Sequence, residues 1–126
     1  MRDVLIVEDE LLVALDLEDI LISGGFDVLG IVADRHGANA IAKPPVVALV
    51  DLNLRDGPTG NDVARHLARQ FGTRIIFVTA NPAQITDPPE TAVGYIQKPF
   101  RPETIVTAVN EAIGSSDSQG NLRVFN

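Results

Sequence analysis

The chain has no cysteine, which excludes disulfides, thiolate metal sites and a thiol nucleophile, and which fits a reducing compartment. Its first residues lack the basic-then-apolar pattern of a secretory signal; Arg2-Asp3 leads directly into a strand-like run. No apolar run approaches the roughly 20 residues of a membrane span. Basic residues are also scarce: 10 Lys and Arg stand against 17 Asp and Glu, a formal charge of −7. That balance argues against direct nucleic-acid binding, which needs a clustered basic face. From these absences a cytoplasmic protein without membrane attachment is expected. What is present suits one domain: 126 residues, 45% of them apolar and 21% charged.

Short apolar runs organise the chain. Val46 to Val50 reads as a strand buried on both faces, and it ends on Asp51. Asp3–Val7, Asp27–Ala33, Arg74–Val78 and Val93–Gln97 are further strands. Between them the spacing predicts helices over Glu10–Ser23, Arg35–Ala42 and Thr59–Phe71, and a last helix over Pro102–Ile113. Gly24-Gly25 closes the first helix, and Pro sits in the first turn of the last. Pro82, Pro88 and Pro89 leave room for about one helical turn near Ala83–Ile85. Alternating βα units imply an α/β doubly wound, flavodoxin-like fold with five parallel strands in the order 2-1-3-4-5 and a reduced, irregular fourth helix. The expected domain covers residues 1–114, and residues 115–126 form a tail with no effector domain.

In such a sheet chemistry sits beyond the carboxyl ends of the strands. There the sequence puts Glu8-Asp9, Asp51, Thr79 and Lys98. Three converging carboxylates repel one another and call for a cation, and Mg²⁺, a hard ion with oxygen ligands, suits them best. Lys98 supplies a point charge able to meet a phosphoryl oxygen, and Thr79 a hydroxyl donor. Together these are the equipment for placing a phosphoryl group on an aspartate. Singly, each residue has an ordinary role as a turn, cap or surface group; their joint position at four strand ends carries the reading.

These residues give the chain its likeness. Val7-Glu8-Asp9-Glu10, Leu49-Val50-Asp51-Leu52, Gly57, Val78-Thr79-Ala80 and Lys98-Pro99-Phe100 resemble bacterial two-component response-regulator receiver domains, across residues 1 to about 114. The resemblance implies that Asp51 is the phosphoacceptor, and that Mg²⁺ is held by Glu8, Asp9, Asp51 and the backbone carbonyl of Asn53. It implies that Thr79 and Lys98 bind the phosphoryl group, and that Thr79 and Tyr95 switch on its arrival. It further implies a cis peptide before Pro99, and a role for Asn53 and Asn81 in phosphoryl lifetime. The donor would be a sensor histidine kinase or a histidine phosphotransferase, the listener an unidentified downstream protein, and the chain a signalling protein rather than a conventional enzyme.

Two features depart from the commonest receivers. Glu8 stands where many have aspartate, and the proline-rich stretch after Thr79 changes the face that DNA-binding regulators use for output. A stand-alone receiver is therefore expected, acting through a protein partner or an onward phosphorelay. Leu11, Leu15 and Ile22 form an apolar stripe on the first helix opposite Val13, Leu17, Ile20 and Leu21. Its candidate occupants are a second copy, making a homodimer, and the tail, through Leu122, Val124 and Phe125. Two other functions compete with the switch. One is a receiver-like scaffold that works without phosphorylation. The other is an aspartate-nucleophile phosphatase of the dehalogenase-like class, which resembles Asp-x-Asp at the nucleophile where this chain has Asn53.

Overall fold

The computed structural model describes residues 3–114 and 122–126. Strands β1 (Asp3–Val7), β2 (Asp27–Val32), β3 (Val47–Val50), β4 (Arg74–Thr79) and β5 (Ala92–Gln97) alternate with helices α1 (Leu11–Ser23), α2 (Arg35–Asn39), α3 (Gly60–Phe71) and α4 (Pro102–Gly114). A sixth strand, β6 (Arg123–Phe125), follows α4. These strands pair in parallel, in the order β2-β1-β3-β4-β5-β6.

The expectation of five strands is corrected here to six. The tail segment expected to cover the stripe of the first helix instead joins the far side of β5 through Arg123–Phe125. The reason is energetic: β5 would otherwise be an open edge with unpaired backbone groups, and Phe125 finds a buried place beside it. The 3₁₀ turn Pro82–Gln84 stands where the fourth helix was expected to be reduced. The second helix is shorter than its sequence suggested, ending at Asn39 with Ala40 as its cap.

Period-two alternation divides the core. Val4, Ile6, Val47, Leu49, Ile76 and Val78 point to the side of α1 and α4. Leu5, Val7, Ala48, Val50, Ile75 and Phe77 point to the side of α2 and α3. At roughly 25 cal/mol per Å² of apolar area, these central strands dominate the driving force for folding. On α1, Ala14, Leu17, Ile20 and Leu21 are buried, with Val13 packed at their margin. Leu11, Leu15 and Ile22 are exposed, and so is Leu12, at 83%. Among the described residues no helix is long and apolar enough to cross a membrane.

One close approach sets the geometry beneath the site. Gly60 opens α3 with its N–H donating to the Leu52 carbonyl at 3.0 Å. A methyl group there would overlap the Asp51 carbonyl oxygen and stand 2.5 Å from Leu52 Cα. Glycine lets α3 lie directly against the turn that carries Asp51.

Candidate functional site

Parallel hydrogen bonding brings the strand ends into line. The Asp51 N–H donates to Val7 at 2.9 Å, and the Lys98 N–H donates to Thr79 at 2.9 Å. β1, β3, β4 and β5 therefore deliver Glu8, Asp51, Thr79 and Lys98 to one end of the sheet. The Lys98–Pro99 peptide is cis.

The Lys98 ammonium lies 2.8 Å from Glu8 Oε1 and 3.1 Å from Asp51 Oδ2. The three side chains are largely enclosed, at 17% exposure for Lys98, 1% for Glu8 and 9% for Asp51. The remaining oxygens are also engaged. Glu8 Oε2 accepts from the Glu10 N–H at 3.1 Å, and Asp51 Oδ1 accepts from the Leu52 N–H at 2.7 Å. Asp9 is exposed and completes an acidic group in which Glu8, Asp9 and Asp51 each offer an oxygen within 4.8 Å of the others.

Charge decides how these groups behave. Burial pushes the Glu8 carboxyl above its ordinary value; the bonds from Lys98 and the Glu10 N–H pull it down without cancelling that effect, and the neighbouring Asp51 charge adds to it. Burial alone would lower the Lys98 ammonium, but its bonds to Glu8 and Asp51 outweigh that and hold it above the lysine range. The two directions agree: Glu8 and Asp51 share one cation and Asp9 stands beside them, so the cluster is short of positive charge. The donors are all hard oxygens, the chemistry that a small divalent ion such as Mg²⁺ requires. Glu8, Asp9 and Asp51 each present an oxygen toward that position, and both oxygens of Glu8 and of Asp51 already accept hydrogen bonds.

The other sequence-derived residues fall into two groups. Thr79 is fully buried, and its hydroxyl oxygen accepts from the Asn81 N–H at 3.1 Å. Tyr95 is half-buried on the α2/α3 side, in the cluster that also holds Ile85 and Leu122. The Leu11, Leu15 and Ile22 stripe begins beside Asp9 and lies uncovered.

Sequence reasoning missed a set of polar ties around the site. Asn53, two residues after Asp51, donates to Gln84 Oε1 at 2.9 Å. Asn61 on α3 donates to the Gln84 carbonyl at 2.9 Å and accepts from the Thr86 N–H at 3.0 Å. Arg65, one turn later, donates to the carbonyls of Thr86 at 2.9 Å and Asp87 at 3.3 Å. The segment after β4 is thus laced to α3. The Asn61/Arg65 spacing marks one helix face, but nothing in it points to a partner more than 20 residues ahead.

Comparison with known proteins gives one consistent result. A family model described as the response regulator receiver domain matches residues 4–110. The phyllosphere-induced regulator PhyR of Methylorubrum extorquens is 36% identical over 116 residues, covering 88% of this chain and 43% of the relative. The solution structure of the PhyR receiver domain of Erythrobacter litoralis superposes with a TM-score of 0.82 at 34% identity, covering 96% of both chains. The receiver domain of a modulated diguanylate cyclase from Desulfovibrio desulfuricans, described as an example of alternate folding, gives a TM-score of 0.79 at 34% identity, covering 88% of this chain and 92% of that one. The chain spans about half the length of the curated relatives it matches, 43% to 57% of each.

Proposed function

The chain belongs to the response regulator receiver family, and from that premise we propose that it is a phosphoacceptor switch with Asp51 as the acceptor. The observation that carries the reading is the ammonium of Lys98 between Glu8 and Asp51, with Asp9 open beside them. An oxygen of Asp51 attacks the phosphorus of a phosphohistidine carried by a sensor kinase or phosphotransferase. The new O–P bond forms as the P–N bond breaks, and the imidazole nitrogen keeps the electron pair. Asp9, Asp51 and the Asn53 carbonyl would hold Mg²⁺, with Glu8 as a ligand or outer acceptor, and the bound ion would supply charge that offsets the phosphoryl oxygens. Lys98 turns from the carboxylates to a phosphoryl oxygen, and the Thr79 hydroxyl, whose oxygen accepts from the Asn81 N–H, donates its own O–H to another.

The consequence is a change of surface rather than turnover of a substrate. As Thr79 moves toward the phosphoryl group, Tyr95 follows from its half-buried place, and the segment laced to α3 shifts with them. This makes the chain a cytoplasmic signalling protein rather than a conventional enzyme, with a downstream protein as its listener. The exposed Leu11, Leu12, Leu15 and Ile22 row starts at the site, where it offers an apolar contact to the phosphoryl-delivering protein; a second copy is its other occupant.

Incubation with a small phosphodonor and Mg²⁺, followed by intact-mass measurement, tests this. One phosphoryl group should add to the wild type, only with Mg²⁺, and none to Asp51→Asn. Equal gain in both proteins, or none in either, would sink it. Many turnovers of a phosphate ester would favour the phosphatase instead.

A further inference from the structure

Gly94 indicates that β6 is a fitted segment. β6 pairs with β5 in the register Gly94↔Arg123, Tyr95↔Val124 and Ile96↔Phe125. A methyl group on Gly94 would overlap the carbonyl oxygen of Arg123 and stand 2.9 Å from the Phe125 ring. The three atoms it would meet first all belong to β6. Glycine at this position is therefore matched to the last strand.

β6 is anchored on both faces of the sheet. On the α1/α4 side Phe125 is buried in the core, Arg123 lies over its ring at 5.0 Å, and Arg123 pairs with Glu111 of α4. On the other side Leu122 packs in the cluster of Tyr95 and Ile85. The strand also meets the segment that carries Lys98: Phe125 and Asn126 line a groove with Gln97, Pro99 and Phe100, its neighbours in the chain. The strand that seats β6 thus leads directly into Lys98, and Tyr95 on that strand pairs with Val124 and packs against the same cluster as Leu122.

We propose that β6 is a phosphoryl-controlled cover on the β5 edge. It is docked while Lys98 bridges Glu8 and Asp51. It loosens when a phosphoryl group on Asp51 draws Lys98 away and shifts Tyr95, the residue of β5 paired with Val124. The inference rests on the phosphoacceptor reading above. With three paired residues, β6 belongs among the elements that open first. The edge it bares presents the backbone of Gly94–Ile96 and the slot vacated by Phe125. Those features fit an extended segment of a partner protein that carries an aromatic side chain.

Amide hydrogen exchange on the full chain, with and without Mg²⁺ and beryllofluoride as the phosphoryl mimic, tests the coupling. Exchange across Arg123–Phe125 should quicken by roughly fivefold or more when the mimic binds, the lower end of ordinary coupling, while β1 and β3 stay protected. Coupling is reciprocal, so Gly94→Ala, whose methyl pushes β6 off, should bind the mimic tighter by a similar factor. Slow exchange in β1 and β3 certifies that this variant folds; Phe125→Ala, which removes the buried anchor, serves if it does not. Mimic bound with β6 exchange unchanged or slowed, or variants with wild-type mimic affinity, overturns the cover while leaving the phosphoacceptor intact. A mimic that fails to bind wild type at all brings down both.

Discussion

Replacing Lys98 by methionine removes the one ammonium that the buried acids share while keeping its apolar stem. In the wild type that ammonium is 2.8 Å from Glu8 and 3.1 Å from Asp51. Deleting one partner of a buried ion pair leaves an uncompensated charge and costs about 3–5 kcal/mol. Asp9 is exposed at the mouth and admits water, which puts this loss near the lower end, about 3 kcal/mol. The pH dependence follows from Glu8. Burial holds its folded-state carboxyl above the ordinary glutamate value, so the folded chain keeps that proton where the unfolded chain has lost it. Stability from this group is greatest in acid and falls as pH rises through the raised value. Without the Lys98 bonds that value climbs further, so the penalty of Lys98→Met should be smaller in acid and grow as pH rises. Added Mg²⁺ should restore part of the loss at the higher pH. Urea unfolding followed by circular dichroism reads it directly, as a midpoint lower by about 1.5–2 M with the slope unchanged. A penalty under about 1 kcal/mol at every pH, or one that grows toward acid, would refute the shared-cation account.

Other predictions touch separate parts of the fold. Gly60→Ala should lose about 3 kcal/mol although alanine favours helix, because its methyl meets the backbone of Asp51 and Leu52; wild-type stability in urea would contradict that close approach. Asp56, whose carboxylate accepts from the Thr59 hydroxyl at 2.6 Å and from the Arg35 N–H at 3.1 Å, should titrate below the ordinary aspartate range by NMR. Its contribution is present above the unfolded value and lost as pH falls, and Thr59→Val should bring the titration back up. Phe125→Ala should cost about 3 kcal/mol, since the ring is buried in the main core; a negligible loss would mean that the last strand is not part of the folded unit.

The site was legible because it depends on local signals. Each of its strands is a short apolar run ending in a polar group, and in a parallel sheet the strand ends must converge. The edges were harder to read. Leu122-Arg123-Val124-Phe125 is four residues long, too short to show alternation, and its partner is chosen by the missing side chain of Gly94, nearly 30 positions earlier. The stripe on α1 was recognised, yet the tail proposed to cover it went to β5, where unpaired backbone and a buried slot for Phe125 outweigh a flat apolar face. Glu8 shows the same limit at atomic scale. Its place beside Asp51 was expected, but not that both of its oxygens are already taken by Lys98 and the Glu10 N–H. The ties from Asn61 and Arg65 to residues 84–87 depend on a loop path that no periodicity encodes.

Mapping the phosphoryl group by peptide mass after reaction with a small phosphodonor and Mg²⁺ tests the central claim most directly, because Glu8 and Asp9 are the competing carboxylates. The account predicts one modified residue, Asp51, with the peptide that holds Glu8 and Asp9 unchanged, and no modified peptide from Asp51→Asn. A phosphoryl group on Glu8 or Asp9 in the wild type, or an unmodified Asp51 under conditions where the chain gains mass, would contradict it.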